Sequence, residues 1–133
     1  MDLDSLNELR QPIDFGLVVL LWLVQCIIYP SFLQVAPERL IDWHATYTRR
    51  MGYIVAPLMF AQLGLSALGV WDTGAALAWL DLVLVLFCWG LTFGLSVPQH
   101  QRIAAGEGDA VVLQRLVDTN WPRTLVWTVI FVV

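Results

Sequence analysis

Between Asp14 and Glu38 the chain carries no charged residue, and none stands between Arg50 and Asp72. From Thr73 to Gln101 the only charge is Asp81. A helix needs about 20 mostly apolar residues to cross the roughly 30 Å hydrocarbon core of a bilayer. The charge-free runs therefore predict spans near 15–33, 51–71 and 75–97. A fourth apolar stretch, 121–133, is about 20 Å long at 1.5 Å per residue. That falls short of the core, so the sequence reads as ending inside a helix. The expected fold is all-α: a polytopic integral membrane four-helix bundle forming one domain over 1–133.

Composition agrees. Charged residues make up 14% of the 133, against roughly 25% in soluble domains, too few for a polar shell. Seven tryptophans suit the headgroup zone, where the ring stays apolar and its N–H wet. The net charge of −4 argues against nucleic acid, which needs a basic face. Cys26 and Cys88 lie inside apolar runs and form neither a disulfide framework nor a CxxC motif. The acidic start, Met1-Asp-Leu-Asp, is unlike the basic start of a signal peptide. Nucleotide-loop, zincin and nucleophile-elbow motifs are missing, as is the inverted repeat of a transporter.

The connections differ. Val70-Trp71-Asp72-Thr73-Gly74 is a tight turn. Pro37-Glu38-Arg39 reads as a helix start, with Pro in the first turn and an acid at the positive end of the dipole. Leu40, His44, Tyr47, Met51, Ile54 and Leu58 then recur at three- and four-residue steps, one helical face. Helix two is thus expected over 37–70, with a kink at Pro57. Gly106 and Gly108 mark a turn, a short amphipathic helix follows over 111–117, and Asn120 reads as the cap of helix four.

Arginine placement sets orientation. Arg39, Arg49 and Arg50 lie in the first connection, and Arg102, Arg115 and Arg123 in or beside the third. Arg10 stands alone on the other side. Connections one and three are therefore expected in the cytoplasm, with both termini on the non-cytoplasmic side. This gathers His44, Tyr47, His100, Asn120, Trp121 and Arg123 at one end as a candidate ligand site. His44 reads as a structural residue, a proton carrier or a ligand. Together with His100 it offers half of a metal site or a bis-His haem site, although a closed zinc site needs four ligands. Arg123 reads as a snorkelling interface cation or as the holder of an anion or carbonyl. Inside the spans stand Gln25, Gln62 and Asp81. The two amides are expected to pair across helices. Asp81 is expected to reach the nearby interface, although an intramembrane acid is also a functional signal.

The stretch Val97-Pro-Gln-His-Gln-Arg, followed by Asp118-Thr-Asn-Trp-Pro-Arg-Thr124, resembles a bacterial family of small four-helix membrane proteins with no assigned activity. In layout the chain is more distantly similar to the anthrone-oxygenase-like membrane family. The resemblance implies a fold and a family, and the expected location is a bacterial inner membrane. Two functional expectations stand side by side. One is a non-catalytic subunit that packs in the lipid bilayer against a membrane-protein partner or copies of itself. The other is a cofactor- or small-molecule-binding redox or oxygenase-like protein with its site at the cytoplasmic end.

Overall fold

The computed structural model describes residues 3–133 as four helical rods joined by short turns. Rod α1 is α-helical over Leu3–Leu23, opens into one π-helical turn at Val24–Ile28, and closes through Tyr29–Ser31 and a 3-10 turn at Phe32–Gln34. Rod α2 is one unbroken helix, Pro37–Thr73. Rod α3 combines Ala76–Leu91, a π turn at Thr92–Ser96, and Val97–Ala104. Rod α4 is Ala110–Val132. The rods form a ring in which α1 touches α2 and α4, and α3 touches the same two. The first three are long and apolar enough to cross a membrane. Large apolar side chains such as Phe15, Tyr53, Phe60, Trp71, Leu77 and Phe93 cover the outside.

The two π turns have a common cause. Each ends two residues before a proline, Pro30 in α1 and Pro98 in α3. A proline inside a helix offers no N–H to the carbonyl four residues back, and its ring crowds that carbonyl. Widening the preceding turn by one residue relieves the clash and shifts the face that follows. In α1 this turns both Val24 and Gln25 inward and brings Tyr29, five positions after Val24, back to the core. In α3 the helix continues past Pro98 to Ala104, beyond the boundary near 97 expected from sequence.

Helix α2 starts at Pro37, as the dipole and proline signals predict. Its 37 residues reach about 55 Å, well beyond a hydrocarbon core. The buried face departs from the predicted one. Leu40, His44 and Tyr47 are buried, but Ile54 is exposed, and Met59, Gln62 and Ser66 continue the line. At 100° per residue Ile54 falls about 80° off the direction of His44, whereas Gln62 returns to it. The helix ends at Gly74, whose φ of 60° is left-handed and whose N–H meets the Val70 carbonyl at 2.8 Å. A side chain would strain this position.

The largest departure is α4. It begins at Ala110, because Asp109 caps it by accepting the Val112 N–H at 2.9 Å. The expected short helix 111–117 and the expected helix 121–133 are one rod of 23 residues. Asn120 is an interior residue, not a cap. Its amide finds partners across the bundle and does not compete with the helix backbone. Helix α1 likewise begins well before the predicted position 15, because Leu6 is buried and Asp14 faces inward.

Two apolar clusters fill the ring. Val24, Tyr29, Phe32, Leu40, Tyr47, Ile103, Val112, Leu113 and Leu116 pack at the end holding the first and third connections. Leu17, Leu21, Met59, Val85, Cys88, Trp127 and Ile130 fill the middle and the other end.

Candidate functional site

At the end that holds the first and third connections, all four rods turn polar side chains inward. From α1 come Gln25 and Tyr29, from α2 His44 and Tyr47, from α3 Ser96 and His100, and from α4 Asn120 and Arg123. Both π turns face this point, and Val24, Thr92 and Ser96 line the same cavity of about 380 Å³. Ligand pockets of this order hold small organic molecules. Its walls are mostly apolar, and its polar groups are few and convergent.

A hydrogen-bonded chain runs along one wall. Tyr29 Oη lies 2.9 Å from His100 Nε2, and His100 Nδ1 lies 2.8 Å from His44 Nε2. The two rings stack with centroids 5.0 Å apart. Each link needs one donor and one acceptor. With both rings neutral the chain can point either way: Tyr29 donates and the far nitrogen, His44 Nδ1, carries a proton, or every link reverses. Shifting each proton one link along the chain releases one at His44 Nδ1 and requires one to be supplied at Tyr29 Oη, without moving a heavy atom of the three side chains. His44 is 1% exposed, and its Nδ1 has no partner among the described residues. Phe32 presses edge-on against His44, and Tyr47 lies tilted against His100, which holds the rings in place.

Arg123 closes the other wall. It donates from Nη1 to Ser96 Oγ at 2.8 Å and to Asn120 Oδ1 at 3.0 Å, and its guanidinium lies 5.4 Å from the Trp127 ring centre. It is 6% exposed, and its Nε has no partner among the described residues. A guanidinium keeps its charge in proteins. Among the described residues, ion pairs join Arg10 to Asp14 and Asp81 and Arg102 to Glu107, and none involves Arg123. Its neighbours are neutral: a hydroxyl, an amide and an indole face. Asn120 is held in turn, donating to Gln25 Oε1 at 2.9 Å, while Gln25 donates to the Val117 carbonyl at 3.1 Å.

Of the residues singled out from sequence, His44, Tyr47, His100 and Arg123 line the cavity, and Asn120 touches Arg123 behind it. Trp121 does not join them. It is exposed and meets Trp22 edge-on on the outer face. Gln25 and Gln62 do not pair with each other. Gln25 serves the Asn120 group, and Gln62 belongs to a second polar cluster toward the opposite end. There Arg10 bonds Asp14 at 2.9 Å and also pairs with Asp81. Gln62 donates to Asp14 Oδ1 at 2.6 Å and accepts from Trp127 Nε1 at 2.8 Å. Asp81 therefore points inward to a cation and is buried, where the sequence favoured a reach to the interface. A cavity of about 370 Å³ lies beside Arg10, Asp81 and Ser66.

Sequence reasoning missed Tyr29, Ser96, Arg10 and Asp14. For Tyr29 a signal existed. Tyr29 stands beside Pro30 inside an apolar run, as His100 stands two residues after Pro98.

The histidine pair does not fit the bis-His haem or zinc arrangement considered from sequence. The nitrogens that would face a shared metal face each other at hydrogen-bond distance. Metal–nitrogen bonds of about 2.0–2.1 Å on either side of an ion would set them farther apart. Among the described residues no group of three or more His, Cys, Asp and Glu could hold a metal ion. Comparison with protein-family models, with curated proteins and with solved structures returned no match.

Proposed function

We propose that this chain is an integral membrane protein of a bacterial inner membrane that binds a small molecule at the cytoplasmic end of its bundle. The observation that carries the reading is the pair of unpartnered atoms, His44 Nδ1 and Arg123 Nε. Both belong to buried residues that line one cavity. An unpaired buried polar group costs about 1–3 kcal/mol, and more when charged. Both side chains line one apolar-walled space, and a ligand there would pair with the Arg123 guanidinium, which has no acid among the described residues. Arg123 orients the ligand, and the Tyr29–His100–His44 chain can give it a proton or take one. Proton exchange beside a bound organic molecule is compatible with the redox or oxygenase-like class suggested by the resemblance.

The arginine pattern supports a cytoplasmic position for this end and a non-cytoplasmic position for both termini. A subunit role, in a larger complex or in a homo-oligomer, draws support from the broad apolar surface. Lipid chains would cover that surface equally well, so the cavity is the more specific observation.

Native mass spectrometry of the protein released from membranes tests the reading. A stoichiometric adduct is expected on the wild type and is expected to be lost from His44→Leu/Arg123→Gln. Wild-type protein that carries and takes up no small molecule, yet leaves the membrane with a second polypeptide, would favour the subunit role.

A further inference from the structure

The cavity has three features that together describe its occupant. First, its one charged lining residue, Arg123, is a buried cation with no acidic partner among the described residues. A buried charge is stable only when paired and hydrogen-bonded, so the missing component is one negative charge. Second, most of the lining is apolar, including Leu20, Val24 and Val97. Third, the cavity reaches the surface of the bundle. Gly52 of α2, with Gln101 and Ala104 of α3, is both exposed and part of its wall, and a side chain built at Gly52 would meet nothing within 4 Å. This mouth opens sideways between two rods. On α2 it lies just inside the charge-free run that begins at Met51, next to the exposed Arg49 and Arg50.

We propose that the cavity is a laterally accessed site for an anionic amphiphile. A carboxylate- or phosphate-type head is held by Arg123 and His44, and an apolar tail leaves between α2 and α3 into the acyl chains. This rests on the small-molecule reading above and names the ligand's class. The geometry sorts the parts of such a molecule. Arg49 and Arg50 meet the head at the headgroup level, and the mouth at Gly52 lets the tail remain in hydrocarbon while the head turns inward. The head then gives the Arg123 guanidinium the negative partner it lacks, with His44 lining the wall beside it. A water-soluble anion would have to leave water entirely to reach the same place.

The test uses the full chain in nanodiscs of phosphatidylcholine, with binding read by intrinsic tryptophan fluorescence and native mass spectrometry. The probes are dodecanoate, its methyl ester, a lysophosphatidate, phosphatidylglycerol and inorganic phosphate. Charge-assisted hydrogen bonds are worth about 1.5–3 kcal/mol, so an anionic amphiphile should bind roughly ten- to hundredfold more tightly than the ester. Arg123→Gln should abolish that preference, and Arg123→Lys should restore part of it. Gly52→Trp, placed in open space at the mouth, should slow binding while leaving the fold intact, which keeps the idea testable if Arg123→Gln does not fold. Preference for dodecanoate, lysophosphatidate or phosphatidylglycerol tells free carboxylate from lipid phosphate, and any of these supports the class. If ester and acid bind alike, the anionic class fails while the small-molecule reading stands. If inorganic phosphate binds as tightly as the amphiphiles, lateral access fails. If no probe binds and no adduct is found on protein from native membranes, both fall.

Discussion

The bundle holds two polar clusters, each tying all four rods together, and they differ in what is left over. Toward the chain termini, Arg10, Asp14, Asp81, Gln62 and Trp127 engage one another through side-chain pairs. The cation has its acids, the amide uses both ends, and the indole donates its one proton. At the other end, Arg123 has no acid, and His44 ends a hydrogen-bonded chain with a free nitrogen. Cavities adjoin both clusters, so empty space does not separate them. The kind of group left over does: among the described residues a neutral hydroxyl, Ser66 Oγ, lacks a partner beside the terminal cluster, whereas a guanidinium without an acid and an imidazole nitrogen are left at the other end. A cluster that satisfies itself serves the fold, and one that stops short leaves bonds for something else.

Substitutions at matched positions can break this contrast. The largest effect is expected for Arg10→Leu, which strands Asp14 and Asp81 in a buried place. Removing one partner of a buried ionic group typically costs about 3–5 kcal/mol, measurable by equilibrium unfolding in detergent micelles. Arg123→Gln removes a cation that has no acid to strand, so it should cost no more than about 2 kcal/mol, the range of interhelical hydrogen bonds. Equal losses at the two arginines would erase the distinction between the clusters.

Replacing the whole Arg10, Asp14 and Asp81 group with Met, Leu and Leu sharpens the same point. Exchanging a buried ionic group for apolar residues is often neutral or stabilising by about 1–4 kcal/mol. A strong loss would mean that the terminal cluster does more than hold the helices. Gln62→Leu should cost about 1–3 kcal/mol, because it leaves the Trp127 N–H buried without an acceptor. The smallest effect belongs to Tyr29→Phe, about 1 kcal/mol or less of stability. Its sharper readout is the histidine ring NMR signals, where both His100 and His44 should shift because the chain loses its terminal hydroxyl. A shift confined to His100 would show that the two rings do not act as one chain.

Some of this was legible in the residues. The charge-free runs give three of the rods, and Pro37 with Glu38 marks where α2 begins. Arginine asymmetry and simple periodicity gather His44, His100 and Arg123 at one end. Other parts were misread for local reasons. Asn120 reads as a cap because an Asn ahead of an apolar run is a good cap, yet Asp109 has the same chemistry beside a glycine turn. Asp81 was sent to the interface because its partner, Arg10, lies 71 positions away in sequence. Gln25 and Gln62 were paired because both sit mid-rod, but amides bind whatever faces them, and here that is Asn120 and Asp14.

What the sequence determined by itself is therefore whatever depends on one segment at a time: which stretches are helical, how apolar they are, and where a helix begins. Tertiary structure decided the pairings. A charge is satisfied or stranded according to what the neighbouring rod presents at the same height, and a one-residue shift at a π turn changes that neighbour. Arg10 and Arg123 are the same residue type at opposite ends of one bundle. Only the packing of four rods gives the first two carboxylates and leaves the second facing a cavity.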